Sequence, residues 1–259
     1  MDPAAPSLTV VVPCYNEAER LDEGPLLDFL DACEGASLLF VDDGSTDATA
    51  ARLGGLAALR PKQIAVRSLH PNGGKAEAVR HGMREALGRG AELVGYLDAD
   101  LSTPPAELFR LRAAFQRPGV EAVLGARVAL LGTDIERNAV RHYLGRVFAS
   151  LAALVLHVRV YDTQCGAKLF RASRALDAAL ATPFLSRWAF DVELLGRLLA
   201  GSGEIPRLPL SAIVEVPLQT WHDVEGSKLG AWAMARTLAE LARIGVDLAA
   251  RRRRQGKAP

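Results

Sequence analysis

The chain is poor in the residues that build disulfide frameworks and zinc centres. Its 259 residues include three cysteines, Cys14, Cys33 and Cys165, an odd number without metal-ligand spacing. They are expected to be reduced thiols, as in a cytosolic protein. The five histidines are scattered, with no pair at ligand spacing, which argues against a zinc site. The opening stretch MDPAAPSLTVVVP has no basic segment and no long apolar one, so no secretory signal is expected. The longest apolar run, VFASLAALVLHV at 147–158, is too short to span a bilayer. A net charge of +1 gives no global field directed at nucleic acid. Internal repeats and low-complexity linkers are also missing. The GGK at 73–75 lacks the spacing of a Walker phosphate loop.

What remains is an ordinary soluble composition, 49% apolar and 24% charged, enough for a substantial core. The first half alternates between apolar runs and helical patterns. Strands are expected at 8–13 (LTVVVP), 37–43 (SLLFVDD), 63–69 (QIAVRSL), 91–100 (AELVGYLDAD) and 121–127 (EAVLGAR). Helices are expected from about Glu17, after GSTD, over NGGKAEAVRHGMREAL and over PPAELFRLRAAF. Continuous apolar strands alternating with helices imply an α/β fold with a mostly parallel sheet, covered on both faces. After Arg127 the regularity breaks. An arginine-bearing helix is expected at about 135–156, a strand at 211–218 and a helix at the C-terminus. The expected organisation is one continuous domain over 1–259. Within it, 8–127 would form a nucleotide-binding half and 128–230 an acceptor half, followed by a helix at about 228–251.

Open parallel sheets bind ligands beyond the carboxyl ends of their strands. Polar clusters fall at each of those ends: PCYNE at 13–17, DDGSTD at 42–47, NGGK at 72–75, DAD at 98–100 and GAR at 125–127. A bare DxD could be turn chemistry, and Asp42 and Asp43 could cap a turn. On a strand end in this sheet, Asp98 and Asp100 suit a hard divalent cation, Mg²⁺ or Mn²⁺, bridging to substrate phosphates. GGK before a helix offers backbone N–H groups and Lys75 to an anion. Arg137, Arg141 and Arg146 fall at spacings of four and five, either a solvated face or a phosphate grip. Asp191 and Glu193, in WAFDVELL, sit among large apolar residues, where a carboxylate needs a partner or a task. The RRRR at 251–254 reads as a solvated tail or, behind an amphipathic helix with Trp232, as a contact to an anionic membrane surface.

In order, VVPCYNEAERL, VDDGSTDAT, GGKAEAVRHGM, YLDADLSTP, GAR, DTQCGAKLFR, RWAFDVELL and EGSKL resemble the family 2 glycosyltransferases over about residues 8 to 230. DTQCGAKLF and RWAFDVELL look most like the branch that glucosylates dolichyl or polyprenyl phosphate, whereas DDGSTD and DAD are shared by the wider family. The resemblance implies a GT-A fold and an inverting transfer from a nucleotide sugar. By position, Pro13 to Glu17, including Tyr15, and Asp43 would hold the nucleoside, with Lys75 nearby. Asp98 and Asp100 would hold the metal and diphosphate. Arg127, Arg141 and Arg146, with Ser227 and Lys228, would surround the phosphates. Gln164, Asp191 and Glu193 would line the acceptor side. Asp100, Asp191 and Arg141 are the expected catalytic residues. Two positions depart from relatives. Ser102 stands where mannosyl transferases often carry Gln, and Ala167 where glucosyl relatives usually carry an aromatic residue.

The branch implies UDP-glucose as donor and a polyprenyl phosphate as acceptor, at a cytoplasmic location with peripheral contact to the inner face of the cell membrane. An anionic phosphate acceptor needs no strong general base; a hydroxyl acceptor would, and Asp191 is then the candidate. The alternatives are a family 2 transferase acting on a saccharide, protein or small-molecule hydroxyl, a sugar-phosphate nucleotidyltransferase and a nucleotide-sugar binding protein. PCYNE after the first strand, in place of a Gly-rich basic loop, argues against the nucleotidyltransferase. Retention of Asp98, Asp100, Asp191 and Lys228 argues against the binding protein.

Overall fold

The computed structural model describes residues 6–135, 139–222 and 231–255, with side chains at 145–222 and 237–255 in the last two stretches. The described residues form nine strands and eight α-helices. The strands are β1 (Leu8–Cys14), β2 (Ala36–Asp42), β3 (Ile64–Ser68), β4 (Leu93–Leu97), β5 (Ala122–Ala126), β6 (Asp134–Ile135), β7 (Ala167–Arg171), β8 (Ile213–Pro217) and β9 (Thr220–Trp221). The helices are α1 (Gly24–Ala32), α2 (Thr49–Leu59), α3 (Lys75–Gly88), α4 (Glu107–Ala113), α5 (Ala139–Leu156), α6 (Arg174–Leu180), α7 (Phe190–Ala200) and α8 (Ala231–Gln255).

Seven strands form one sheet in the order β3-β2-β1-β4-β7-β5-β8. All run parallel except β7, which pairs antiparallel with both β4 and β5. The apolar runs are continuous because each strand buries both faces. Along β1, Val11 joins the core under α3 and α7, while Val10 and Val12 join the core under α1, α2 and α4. The reversed strand has a consequence for function. Leu97 pairs with Ala167, so the segment entering β7 arrives at the edge where β1, β2 and β4 end. DTQCG is thereby delivered beside DAD.

The structure differs from two sequence expectations here. No helix starts at Glu17. Asn16 adopts a left-handed conformation, and α1 begins only at Gly24, where Pro25 suits the first turn. The second concerns the C-terminal arginines: they end α8, and while Arg253 and Arg254 are exposed, Arg251 and Arg252 are only half-exposed and bonded to the protein. Arg252 donates to the carbonyls of Val155 and Leu156 at the end of α5, where a cation is favoured, and Arg251 pairs with Asp247 at 2.6 Å.

Helix α3 lies close on the sheet because Gly82 has no side chain. A Cβ there would fall 2.5 Å from Val11 Cγ1 and 2.8 Å from Val41 Cγ2, in the middle of the core. Gly82→Ala is therefore expected to destabilise the protein by about 1–3 kcal/mol through overpacking, despite the better helix propensity of alanine. Thermal denaturation should show a melting point several degrees lower. An unchanged or raised melting point would mean that α3 can lift off the sheet at no cost.

Candidate active site

A cleft of about 200 Å³ opens at the carboxyl edge of the sheet. Pro13, Cys14, Tyr15, Glu17 and Arg20 form one wall, Asp43, Lys75 and Ala78 another, and Asp98, Ala99 and Asp100 the floor. The edge brings together Pro13, Tyr15, Glu17, Asp43, Lys75, Asp98 and Asp100, which are spread over 88 positions of sequence from the first to the last.

The walls are knitted by polar side chains of the loops after β1 and β2. Asn16 Oδ1 accepts from Thr46 N at 2.8 Å, and Asn16 N donates to Ser45 Oγ at 3.0 Å. Glu17 N donates to the buried Thr49 Oγ1 at 2.8 Å, and Asp47 receives Thr49 and Ala18. The loop after β1 is thus locked to the loop after β2, and Tyr15 is left half exposed at the mouth. Asp43 is buried. Its two carboxylate oxygens accept from Gly73 N at 2.8 Å and Gly74 N at 2.7 Å. It therefore fixes the GGK turn that starts α3 and presents Lys75.

Lys75 Nζ sits 2.7 Å from the Asp98 carboxylate and donates to Oδ2. Burial alone would depress the ammonium, but the negative charges of Asp98, Asp191 and Asp100 outweigh it and hold Lys75 above the usual lysine range. Asp98 can lie this deep because residue 166 is glycine: a Cβ there would meet Asp98 Cγ at 2.4 Å. Asp98 Oδ1 is buried and lies 2.7 Å from the same Lys75 Nζ, so both carboxylate oxygens face the ammonium. The turn after β4 is tight, with Leu101 at positive φ and Asp100 Oδ1 accepting from Ser102 N at 3.0 Å.

Four carboxylates line the cleft, Glu17, Asp43, Asp98 and Asp100, against two cations, Arg20 and Lys75. The excess negative charge registers on Glu17. Burial first, then Asp100 and Asp47, raise its carboxyl above the normal range although Arg20 pulls the other way. Such a cleft would repel a diphosphate unless a cation came with it. Among the described residues no group of three His, Cys, Asp or Glu could hold a metal. Two carboxylates on the cleft floor, Asp98 and Asp100, fit a magnesium-like ion that takes its other ligands from substrate phosphates and water. They do not fit a metal caged by protein alone.

The acceptor-side residues divide. Arg127 N, Nε and Nη2 all donate to Asp162, at 3.1, 2.6 and 2.8 Å, and the guanidinium stacks on Trp221. Burial opposes both charges, yet their attraction holds Arg127 above and Asp162 below their ordinary ranges. This fork is engaged by Asp162, whereas the sequence expectation set Arg127 among the phosphates. Arg146 stacks on Tyr161 at 4.2 Å and donates to its carbonyl, so it too is engaged. Gln164, in the loop entering β7, keeps Nε2 buried and unpartnered.

Asp191 lies beneath the cleft, in the first turn of α7. Its Oδ1 accepts from Lys168 Nζ at 2.7 Å and from the Tyr96 hydroxyl, and Lys168 also donates to Cys165 O at 2.5 Å. Burial and the charge of Asp191 push the Tyr96 phenol well up, so it remains a neutral donor. Sequence reading missed Lys168 and Tyr96. Lys168 could have been found as a charge inside an otherwise apolar run.

Glu193 does not line the acceptor side. It is fully buried, with Oε1 on Arg197 Nη2 at 2.6 Å and Oε2 on the N–H groups of Leu185 and Ser186 at 2.8 and 3.3 Å. The side chain of Arg141, with Arg137, Ser227, Lys228 and the side chain of Trp232, lies outside the described residues. Among the described residues no helix is long and apolar enough to cross a membrane.

Comparison with known proteins agrees with this geometry. Residues 9–175 match the family described as glycosyl transferase family 2. A dolichyl-phosphate beta-glucosyltransferase of Drosophila melanogaster is 35% identical over 238 residues, covering 86% of this chain and 69% of that protein. The human protein of the same name is 32% identical over 245 residues, covering 88% and 71%. A polyprenol monophosphomannose synthase of Mycolicibacterium smegmatis is 28% identical over 204 residues, covering 78% and 76%. Among solved structures, glucosyl-3-phosphoglycerate synthase from Mycobacterium tuberculosis, in complex with Mn²⁺, UDP and glucosyl-3-phosphoglycerate, superposes with a TM-score of 0.66 at 19% identity, covering 95% of this chain and 80% of that one. The sheet order, the DxD at the end of β4 and these matches lead to one assignment: the chain has a GT-A fold and belongs to glycosyl transferase family 2, as a glycosyltransferase.

Proposed function

We propose that the enzyme transfers glucose from UDP-glucose to a polyprenyl phosphate, with inversion at the anomeric carbon and with Mg²⁺ or Mn²⁺ bound through Asp98 and Asp100. The observation that carries the acceptor class is the state of Asp191. Its Oδ1 is taken by Lys168 and Tyr96, and it is buried, a poor arrangement for a base that must collect a proton from an incoming hydroxyl. A phosphate monoester is already anionic near neutral pH and needs no such base. The relatives named for dolichyl and polyprenol phosphates support the same acceptor.

In this reading the walls around Tyr15 and Asp43 hold the nucleoside and leave its diphosphate over the floor of the cleft. When bound, the cation neutralises charge on the leaving diphosphate as a Lewis acid. Lys75, raised on the turn that Asp43 fixes, brings a permanent positive charge to the same place. One oxygen of the acceptor phosphate attacks the anomeric carbon in line as the bond to UDP breaks, so no covalent enzyme intermediate forms. Domain halves follow the same division, with 8–127 for the donor and 128–230 for the acceptor.

The test is a transfer assay with farnesyl phosphate and, separately, UDP-glucose, UDP-N-acetylglucosamine, UDP-glucuronate and GDP-mannose. Mass spectrometry should find a hexosyl-phosphate lipid with UDP-glucose. A chelator should abolish it and added Mn²⁺ or Mg²⁺ restore it. Product formed only on saccharide or other hydroxyl acceptors would replace the acceptor assignment, and product from another sugar nucleotide would replace the donor.

A further inference from the structure

The loop between α6 and α7 is held from inside by buried side chains. Phe184 N donates to Glu77 Oε1 at 3.2 Å, and the N–H groups of Leu185 and Ser186 go to Glu193. Ser186 Oγ accepts from Trp188 N and Ala189 N at 3.2 and 2.6 Å and donates to Glu240 of α8. Arg197, paired with Glu193, donates to the carbonyls of Ala179, Thr182 and Pro183. A fully buried ion pair is a costly way to secure helix α7 alone, because desolvation offsets most of its attraction. Its partners show that it fixes a loop.

The loop turns three side chains outward. Leu185 is 41% and Trp188 45% exposed, and Arg187 between them is also exposed. Trp188 is braced edge-on by Phe148 of α5 at 5.2 Å. The stem of Arg187 crosses the N-terminus of α3: a Cβ placed on Gly74 would lie 3.3–3.7 Å from its Cδ, Cγ and Cβ. Gly74 immediately precedes Lys75, which holds Asp98. Arg187 makes no hydrogen bond or ion pair among the described residues.

We propose that Arg187 and Trp188 form the acceptor's entry site, the guanidinium taking the phosphate monoester and Trp188 with Leu185 taking the first apolar units of the lipid. This rests on the polyprenyl-phosphate reading above. An unpaired fork matches phosphate oxygens, and a half-exposed indole beside a leucine matches a chain that is apolar beyond its headgroup. The donor is a poorer fit. A nucleoside diphosphate has no apolar tail for Trp188 and Leu185. The anchored loop also loses little freedom on binding.

Calorimetry on the full chain tests this, with farnesyl phosphate, the short ester isopentenyl phosphate, and UDP with Mn²⁺ as separate ligands. Arg187→Ala should weaken both phosphate esters about tenfold to a hundredfold, as expected for a lost charged hydrogen bond, and leave UDP within twofold. Arg187→Lys should recover part of the loss. Trp188→Ala should weaken farnesyl phosphate more than isopentenyl phosphate. Loss of UDP affinity in Arg187→Ala, with the esters unaffected, would assign the arginine to the donor and overturn the proposal; so would no change in any ligand. Wild-type protein that binds the short ester but not farnesyl phosphate would remove the lipid reading, and Arg187→Ala against the short ester would then decide the phosphate site by itself.

Discussion

Asp100→Asn should lower the rate of sugar transfer by roughly a thousandfold while leaving the melting point unchanged. The exchange keeps size and keeps an Oδ1 acceptor for Ser102 N, so the turn after β4 survives. What it removes is one of two negative charges available to a cation on the cleft floor. With no third ligand group among the described residues, half of the protein's contribution to that ion disappears. A transition state that places charge on a leaving diphosphate loses about 4 kcal/mol in such a case, which is a factor near a thousand. Asp98→Asn should be less severe, because Asp98 is already neutralised by Lys75. Steady-state kinetics together with Mn²⁺ titration in the presence of UDP separates the two. If Asp100→Asn kept both its rate and its metal requirement, the floor of the cleft would not be the metal site.

Much of this site was legible because its chemistry sits at strand ends. The apolar runs of β1, β2 and β4 are unmistakable, and in a parallel sheet they oblige Tyr15, Asp43 and Asp98 to emerge at one edge. What was not legible depends on contacts distant in sequence. Strand β7 is five residues long and carries Lys168 as its second residue, which breaks the apolar run by which strands are recognised. Its charge is matched by Asp191, 23 residues later, and no local pattern encodes that pair. Arg187 is similar: its place beside Lys75 comes from a loop crossing back over α3. Glu193 could have been read correctly. Residues two apart on a helix do not share a face, so Asp191 and Glu193 could not both line one acceptor pocket once they were placed on α7. The helix expected from Glu17 failed for a local reason: the N–H groups of Asn16, Glu17 and Ala18 go to the side chains of Ser45, Thr49 and Asp47, and the chain makes only a single turn from Glu17 to Leu21 before α1.

The pair of Asp191 and Lys168 should dominate stability more than any other feature beneath the cleft. Both are buried, and each is the charge partner of the other. Asp191→Asn preserves an acceptor for the Tyr96 hydroxyl but leaves the Lys168 ammonium without its counter-charge. Lys168→Met leaves the carboxylate stranded and releases the Cys165 carbonyl as well. Each change should cost about 3–5 kcal/mol in urea unfolding, the usual consequence of removing one member of a buried pair. The double variant should be less unstable than the sum by up to about 3 kcal/mol, since nothing charged is then left uncompensated. Strict additivity would show that the two charges do not depend on each other. Kinetics below the unfolding range adds a second reading of the same variants. With a phosphate acceptor, folded Asp191→Asn should lose less than about tenfold in kcat, because no proton has to be removed from the nucleophile. A loss of several hundredfold in protein shown to be folded would instead make Asp191 a working base. The acceptor would then have to be a hydroxyl, and the buried lysine would be the group that keeps that base ionised.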